Sequence, residues 1–241
     1  MCINERSMAG NHAITEIVFV KELVSVGKAA LYGCRNLSKV SGESIVQNID
    51  SLALGKCGKL SDLELKSCWI WEQAFSFCTG LETVKLPMTT TLGKETFLGC
   101  SKLSSFRGEN LRFIGMRCFE ACNSLSTFSF SEDCSISAHA FEGCSGITRL
   151  QVLGEGLSFG SYAFSGCTML DCIDIDGISY KINGYRSLED ASLPTLVREL
   201  YQSSINCFSI DEELCLYRCT SQANKLRIPD GVRSIAREVF R

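Results

Sequence analysis

Seven cysteines recur through the first two thirds of the chain at almost constant intervals. They are Cys34, Cys57, Cys78, Cys100, Cys122, Cys144 and Cys167, spaced by 23, 21, 22, 22, 22 and 23 residues. Chance does not produce so many consecutive intervals of nearly equal length. Because a repeat determines the architecture of the chain that contains it, we expect an array of stacked units.

The residues around each cysteine keep the same frame. A leucine or phenylalanine stands three residues before the cysteine, a mostly small residue stands four before, and leucine or isoleucine stands three after. Apolar residues also stand eight before and six after. The unit is therefore I-x-x-x-A-F-x-G-C-x-x-L-x-x-[VLF], about 22 residues long, and "AFEGCSGITRL" at 140–150 is one copy.

A unit of this length cannot enclose a core of its own, so neighbouring copies must cover its apolar side chains. Apolar residues make up 45 % of the chain, which is enough to bury a core. The L-x-x-[VLF] part has the alternation of a short strand, and strands one turn apart form a parallel sheet. The A-F-x-G-C part predicts a tight turn or a single helical turn that sends the phenylalanine into the interior.

Several phrases resemble the BspA-like leucine-rich repeats: "LETVKLP" (81–87), "IG" (114–115), "AFEGC" and "LRIPDGVRSIAREVF" (226–240). The resemblance implies an α/β leucine-rich-repeat solenoid, a β-rich right-handed superhelix. Its parallel sheet would line the concave face, and short turns and helices would line the convex face. The family is common on the surfaces of host-associated bacteria and parasitic protists, where its members act in adhesion and binding.

Four segments follow from the repeat frame. Residues 1–13 are expected to be an N-terminal arm, 14–177 the array of about seven repeats, 178–220 an insertion and 221–241 an incomplete terminal repeat. Within the insertion, apolar residues at helical spacing predict an amphipathic helix near 192–202. Two interpretations of the insertion stay open: a binding protrusion, or a segment that packs its apolar face on the solenoid.

The chain contains 15 cysteines, an odd number that leaves at least one thiol unpaired. Stacked repeats present their sulfurs in parallel, which fits disulfide geometry poorly, so we expect the seven repeat cysteines to be reduced and buried. The pairs Cys118/Cys122 and Cys215/Cys219 are close in spacing to zinc ligands, but they fall on repeat positions and are far apart in the array. Cys2, Cys134, Cys172 and Cys207 lie outside the frame and are expected to be exposed or paired.

No motif for catalysis, phosphate binding or metal binding occurs in the sequence, and only His12 and His139 are histidines. We therefore expect no catalytic residue, cofactor or metal. The net charge of −3 argues against a nucleic-acid partner, and no apolar run is long enough to span a membrane.

The residues five and seven after each cysteine flank a buried strand position and should face outward from the concave sheet. They differ between repeats, as a binding face would, although solvated polar residues are the alternative. The candidate protein-binding residues are Lys39, Asp62, Glu64, Lys85, Arg107, Arg149, Gln151 and Asp174. Arg107 and Arg149 are the best anchors, because arginine is favoured at binding hot spots.

Trp69 and Trp71 bracket the core residue Ile70 and should point to the outer side. They form a candidate outer contact patch, with shielding by a neighbouring loop as the alternative.

These patterns predict a non-enzymatic protein-binding leucine-rich-repeat module. By the resemblance, it would be an adhesion or host-contact protein, at the cell surface or secreted, with a host or extracellular-matrix protein as partner. The N-terminal "MCINERSMAGNH" lacks the apolar core of a signal peptide. An intracellular structural or scaffold repeat protein is therefore the alternative.

Overall fold

The computed structural model describes residues 2–19, 23–41, 45–153, 157–175, 178–181, 208–210, 215–219 and 234–235. These residues form short strands joined by turns. In chain order the strands are β1 (Cys2–Ile3), β2 (Glu16–Val18), β3 (Leu23–Val26), β4 (Lys39–Ser41), β5 (Ile45–Ile49), β6 (Asp62–Glu64), β7 (Lys66–Ile70), β8 (Thr83–Lys85), β9 (Thr91–Leu92), β10 (Ser105–Arg107), β11 (Phe113–Ile114), β12 (Thr127–Phe130), β13 (Ser135–Ile136), β14 (Arg149–Val152), β15 (Ser158–Phe159), β16 (Cys172–Ile175), β17 (Ile178–Lys181), β18 (Phe208–Ile210), β19 (Cys215–Cys219) and β20 (Ser234–Ile235).

Each repeat contributes one strand to each of two parallel layers, so the array is a β-solenoid of about seven turns. The first layer, here called the back sheet, runs without interruption in the order β1-β3-β5-β7-β9-β11-β13-β15. The second layer, the front strands, is divided into β2-β4-β6-β8-β10 and β12-β14-β16-β17. The apolar residues eight before each cysteine lie side by side in the back sheet, as Ile70 does with Leu92. Those six after do so in the front strands, which confirms the sequence frame.

The expected helices on the convex side, and with them the α/β class, are not found: the described residues contain no helix. The side opposite the front strands is the back sheet, which the sequence analysis did not predict. The A-F-x-G-C segment belongs to a turn, because the residue just before the segment and the residue just before its cysteine both have left-handed backbone. Positive φ occurs at every residue five before a repeat cysteine, namely Ala29, Leu52, Gln73, Glu95, Arg117, His139 and Tyr162. It also occurs at every residue one before, namely Gly33, Lys56, Phe77, Gly99, Ala121, Gly143 and Gly166.

The backbone hydrogen bonds of the turns also run between repeats. Gln73 N donates to Lys94 O at 2.8 Å, Phe75 N to Thr96 O at 2.9 Å, and Phe77 N to Leu98 O at 2.7 Å. A helix would direct these N–H groups along its own axis. Here left-handed residues at both ends of the stretch, such as Gln73 and Phe77, interrupt helical geometry, and the N–H groups bond to the neighbouring repeat, so the turns form a ladder beside the two sheets.

Aromatic rings fill the centre of the C-terminal half of the array. Phe75, Phe97, Phe119, Phe141 and Phe164 form a column of parallel rings, with neighbouring centroids 5.0–5.4 Å apart. All five are buried. Rings from the front strands meet this column edge-on, as Phe106 meets Phe119 at 5.0 Å. The repeat thus places each phenylalanine against its own copies.

The seven repeat cysteines are unpaired and at most 3 % exposed. Each thiol donates to the carbonyl oxygen of the residue three before the previous cysteine. The pairs are Cys34–Met8 (Sγ–O 3.2 Å), Cys57–Leu31 (3.3 Å), Cys78–Leu54 (3.2 Å), Cys100–Phe75 (3.3 Å), Cys122–Phe97 (3.3 Å), Cys144–Phe119 (2.9 Å) and Cys167–Phe141 (3.3 Å). In the first pair Met8 holds the corresponding place, three before Asn11. The cysteine therefore joins consecutive repeats without a covalent bond.

Burial also sets the chemistry of these thiols. It raises the pKa of Cys100 and of Cys167 from 9.0 to about 12. Burial raises the pKa of the Cys122 thiol as well. Cys134, outside the repeat frame, is likewise buried and unpaired, whereas Cys2 is exposed and unpaired. A thiol that stays protonated is a poor nucleophile, so these buried cysteines are inert packing residues.

The array geometry continues through residues 2–19, although the sequence analysis set residues 1–13 apart as an arm. Ile3 of β1 pairs with Val26, and β2 pairs with β4. Arg6 and Gly10 have the two positive φ values of the turn. Asn11 takes the place of the cysteine, which is why the cysteine frame did not reveal this additional turn.

At the other end of the array, β17 pairs antiparallel with β16 and ends the parallel run of front strands. Further along the chain, β19 pairs antiparallel with β18 and parallel with β20. The predicted amphipathic helix near 192–202 lies outside the described residues.

Candidate protein-binding surface

The outward residues of the front strands form one surface, here called the front face: those five and seven after each cysteine. In-register pairing aligns them in columns. Glu64 lies beside Lys85, and Lys85 lies beside Arg107. Beyond the division of the front strands, Gln151 lies beside Asp174. Successive side chains along a strand point to opposite sides of the backbone. The residue between the two outward residues of each strand therefore points into the core.

Ion pairs along the front face join neighbouring repeats. Lys39 Nζ lies 3.0 Å from Glu16 Oε1, and Lys85 Nζ lies 3.2 Å from Glu64 Oε2. These side chains are largely exposed, so each pair contributes little to stability. Their consequence for binding is larger, because two of the predicted cations already have a carboxylate partner. Glu16 escaped the sequence analysis because its turn lacks the cysteine.

Asp62 is held by hydroxyl groups. Thr83 Oγ1 and Ser61 Oγ both donate to its carboxylate. The hydrogen bond from Thr83, followed by that from Ser61, lowers the pKa of Asp62 below 3.8. Asp62 therefore stays ionised and aligned on the front face at neutral pH.

Arg149 is less available than the sequence suggested. Its Nη1 lies 2.9 Å from Asp174 Oδ2, and this hydrogen bond raises the pKa of the Arg149 guanidinium. Cys172 was expected to face outward and is instead buried. It lies between Arg149 on β14 and Lys181 on β17, with its Sγ 3.7 Å from Asp174 Oδ1. The added antiparallel strand therefore closes this end of the front face.

Arg107 lies where the front strands divide, at a boundary here called the seam, between β10 and β12. The two strands are not hydrogen-bonded to each other. The partly buried Phe106 and the buried Phe128 stack at 5.4 Å, which keeps the core continuous across the seam.

A groove of about 310 Å³ opens at the seam. It is lined by Phe106, Arg107, Gly108, Glu109, Ser129, Phe130, Ser131 and Leu153. Within the described part of the chain, the Arg107 guanidinium has no hydrogen bond or ion pair. It is the front-face arginine that keeps its donors free for a ligand. The sequence signal for this site was phenylalanine at the inward strand position of two consecutive repeats, Phe106 and Phe128.

His139, one of the two histidines of the chain, makes its contacts within the turns of the array. His139 Nδ1 lies 2.8 Å from Glu142 Oε2, and its ring stacks on Tyr162 at 5.2 Å. Over the described ranges, no three histidine, cysteine or acidic side chains come together as metal ligands. The same ranges contain no helix long and apolar enough to cross a bilayer.

A family model for the BspA-type leucine-rich repeat region matches residues 2–110 and 68–171, in six copies. The chain belongs to the BspA-type leucine-rich repeat family. Comparison with functionally curated proteins gives no match. Among solved structures, a leucine-rich repeat protein of T. pallidum (TpLRR) aligns with a TM-score of 0.61 at 25 % identity, over 70 % of this chain and 82 % of that one.

Two further solved structures are more distant. A leucine-rich repeat protein from Bacteroides ovatus gives a TM-score of 0.44 at 18 % identity, over 71 % of this chain and 69 % of that one. The pneumococcal vaccine antigen PcpA gives 0.44 at 18 % identity, over 72 % of this chain and 53 % of that one.

In this BspA-type array, Trp69 lies on strand β7 of the back sheet, and Trp71 follows directly after that strand. Trp69 is 57 % exposed and Trp71 51 % exposed. Trp71 Nε1 donates to Asn48 Oδ1. Phe113, also exposed, lies in the same row two strands from Trp69, because both pair with Thr91. The sequence analysis missed Phe113, since it did not foresee a sheet there.

Proposed function

We propose that this chain is a non-enzymatic protein-binding module that engages its partner through the front face at the seam. The observation that carries the proposal is Arg107, an exposed guanidinium that has no hydrogen bond or ion pair within the described residues and lies beside an open groove. Arginine in such a position forms strong, oriented hydrogen bonds to carboxylates. The fixed core and the varied front face of the repeats support the same proposal.

Membership in the BspA-type family extends this proposal to adhesion or host contact at the cell surface, with a host or extracellular-matrix protein as partner. An intracellular scaffold is the competing function. The unpaired thiols do not favour it, because buried thiols with raised pKa values resist oxidation in either location.

The binding surface is tested by photo-crosslinking with the full chain. A photoreactive phenylalanine analogue at Ser105 or Ser129 flanks the seam, and the same analogue at the exposed Lys66 on the back sheet is the control. We expect one protein to be captured from both seam positions and not from Lys66. Capture that is equal from all three positions contradicts the assignment to the front face.

Charge reversal then tests the anchor with the captured partner. Arg107→Glu should weaken binding by about tenfold or more, because it removes a free donor pair and adds repulsion. Arg149→Glu should weaken it less, because Asp174 already occupies that guanidinium. Lys66→Glu is the matched control for net charge. An unchanged affinity for Arg107→Glu in a calorimetric titration would remove Arg107 from the site.

Location is tested by labelling intact source cells with a membrane-impermeant biotin reagent. Labelling before lysis supports the surface function, and labelling only after lysis supports the scaffold.

A further inference from the structure

A second groove lies at the turn edge of the N-terminal repeats, away from the front face. Its volume is about 620 Å³, and it is lined by Arg35, Lys56, Gly58, Lys59, Phe77 and Thr79. Three of these six residues are cations and none is acidic. The chain as a whole has a net charge of −3, so this concentration of positive charge is local.

The three cations are exposed and have no carboxylate partner within the described residues. Lys56 Nζ lies 5.5 Å from the centroid of the Tyr32 ring, which leaves its positive charge uncompensated. By contrast, Lys39, Lys85 and Arg149 on the front face each have an acidic partner. The groove therefore attracts anionic groups, and its charge is not used to hold repeats together.

The side chains at one turn position distinguish this groove from the other repeats. Lys56 and Phe77 occupy the place before the repeat cysteine, with φ of 59° and 56°. Four of the other repeats have glycine there, and one has alanine. At this repeat position glycine or alanine is therefore the rule, and the long side chains of Lys56 and Phe77 are the exceptions. The two residues that break the pattern are both lining residues of this groove.

Phe77 adds an apolar surface beside the cations. Its ring packs over Gly99, where an added Cβ would lie 2.8 Å from the ring, and the residue is 46 % exposed. The alkyl stems of Lys56 and Lys59 extend the apolar surface, because lysine keeps only its ammonium in water. The groove thus combines free positive charge with an exposed aromatic ring.

We propose that this groove binds an acidic segment of a protein, with carboxylates on Arg35, Lys56 and Lys59 and an apolar side chain on Phe77. The exposed ring favours a peptide that carries apolar as well as acidic side chains over a uniformly charged polyanion. The inference goes beyond the proposed front-face function and does not depend on it, since the two sites share no residue.

The probe is a fluorescent octapeptide of alternating glutamate and leucine, titrated with the full chain and followed by anisotropy at low salt. The test variant combines Arg35→Glu, Lys56→Glu and Lys59→Glu. The matched control combines Lys28→Glu, Lys66→Glu and Arg112→Glu, which make the same change in net charge at exposed sites outside the groove. We expect the test variant to weaken binding by about tenfold or more and the control by much less.

Equal losses in the two variants, or no peptide binding to the native chain, would overturn the proposal. A sulfated heparin oligosaccharide is titrated in parallel. Groove-dependent binding of the oligosaccharide without binding of the peptide would replace the acidic segment by a glycan and also overturn it. Because the front-face residues are unchanged in every variant, these outcomes are independent of the Arg107 experiments.

A single substitution tests the apolar part of the site without endangering the fold. Phe77→Gly places glycine at a positive φ that suits it, so the variant should remain folded, as circular dichroism would show. We expect weaker binding of the glutamate–leucine peptide and unchanged binding of an all-glutamate octapeptide. Native affinity of Phe77→Gly for the glutamate–leucine peptide would overturn the assignment of Phe77.

Discussion

The cysteine side chain has two properties that suit its position in the repeat. It is small enough to sit beside the phenylalanine column, and its thiol donates to a carbonyl oxygen of the preceding turn, as Cys122 does to Phe97 at 3.3 Å. A purely aliphatic residue would provide no donor there. Cysteine is thus a small hydrophobe that also satisfies part of the buried backbone.

The raised thiol pKa values predict a loss of stability in alkali. The unfolded thiol ionises near pH 9.0, whereas folded Cys100 stays protonated up to about pH 12. The contribution of such a thiol to the free energy of unfolding is therefore fully present below pH 9. It falls by about 1.4 kcal/mol per pH unit for each such thiol as the pH rises towards 12. Urea unfolding at about pH 8 to 10.5 measures this slope.

Cys100→Ala should make that slope less steep by about 1.4 kcal/mol per pH unit. Cys2→Ala, which removes an exposed thiol, is the control. Equal slopes for Cys100→Ala and the native chain would contradict the proposed role of burial.

A phenylalanine-to-alanine substitution should reduce the free energy of unfolding much more inside the phenylalanine column than on the back sheet. Phe119→Ala removes a buried ring that stacks on Phe97 and Phe141 at 5.4 and 5.0 Å. It should reduce the free energy of unfolding by about 3–5 kcal/mol. Phe113→Ala, at a residue 40 % exposed on the back sheet, should cost less than about 1 kcal/mol. Denaturant midpoints followed by far-UV circular dichroism compare the two.

At the scale of the element, the turn shows where sequence reasoning succeeded and where it failed. The A-F-x-G-C spacing correctly placed Phe141 and Cys144 in the core. The same spacing fits a helical turn, and the left-handed residue five before the cysteine varies from alanine to tyrosine, so nothing in the sequence marked it. The pairing of Arg149 with Asp174 was equally hidden, because these residues contact diagonally between strands.

Two glycines of the repeat should lose different amounts of folding free energy when each is replaced by alanine. Gly143 has φ of 71° with no atom closer than 3.9 Å to an added Cβ, so Gly143→Ala should cost only backbone strain, about 1 kcal/mol. At Gly115 the added Cβ would lie 2.5 Å from the Gly93 carbonyl carbon. Gly115→Ala should therefore cost about 2–3 kcal/mol, because backbone of the neighbouring repeat must move. Equal denaturant midpoints for the two variants would contradict this distinction.

At the scale of the whole molecule, the array is a sum of similar units in contact only with their neighbours. Deleting residues 101–122 removes one unit and joins Cys100 to the residue that follows Cys122. We expect this protein to fold cooperatively with a lower denaturant midpoint. Deleting residues 101–111 breaks the frame and should abolish folding. Protection of thiols from a chromogenic reagent distinguishes the two, and equal protection would contradict the stacked frame.

The seam also sets how the array responds to force. On one side, β9, β11 and β13 are joined by backbone hydrogen bonds. On the other side, β10 and β12 are held by stacked rings without such bonds. We therefore expect the array to bend most easily at the seam, in the direction that opens the front face. A load applied along the solenoid would turn two stiff segments about the back sheet, and the groove beside Arg107 would widen first.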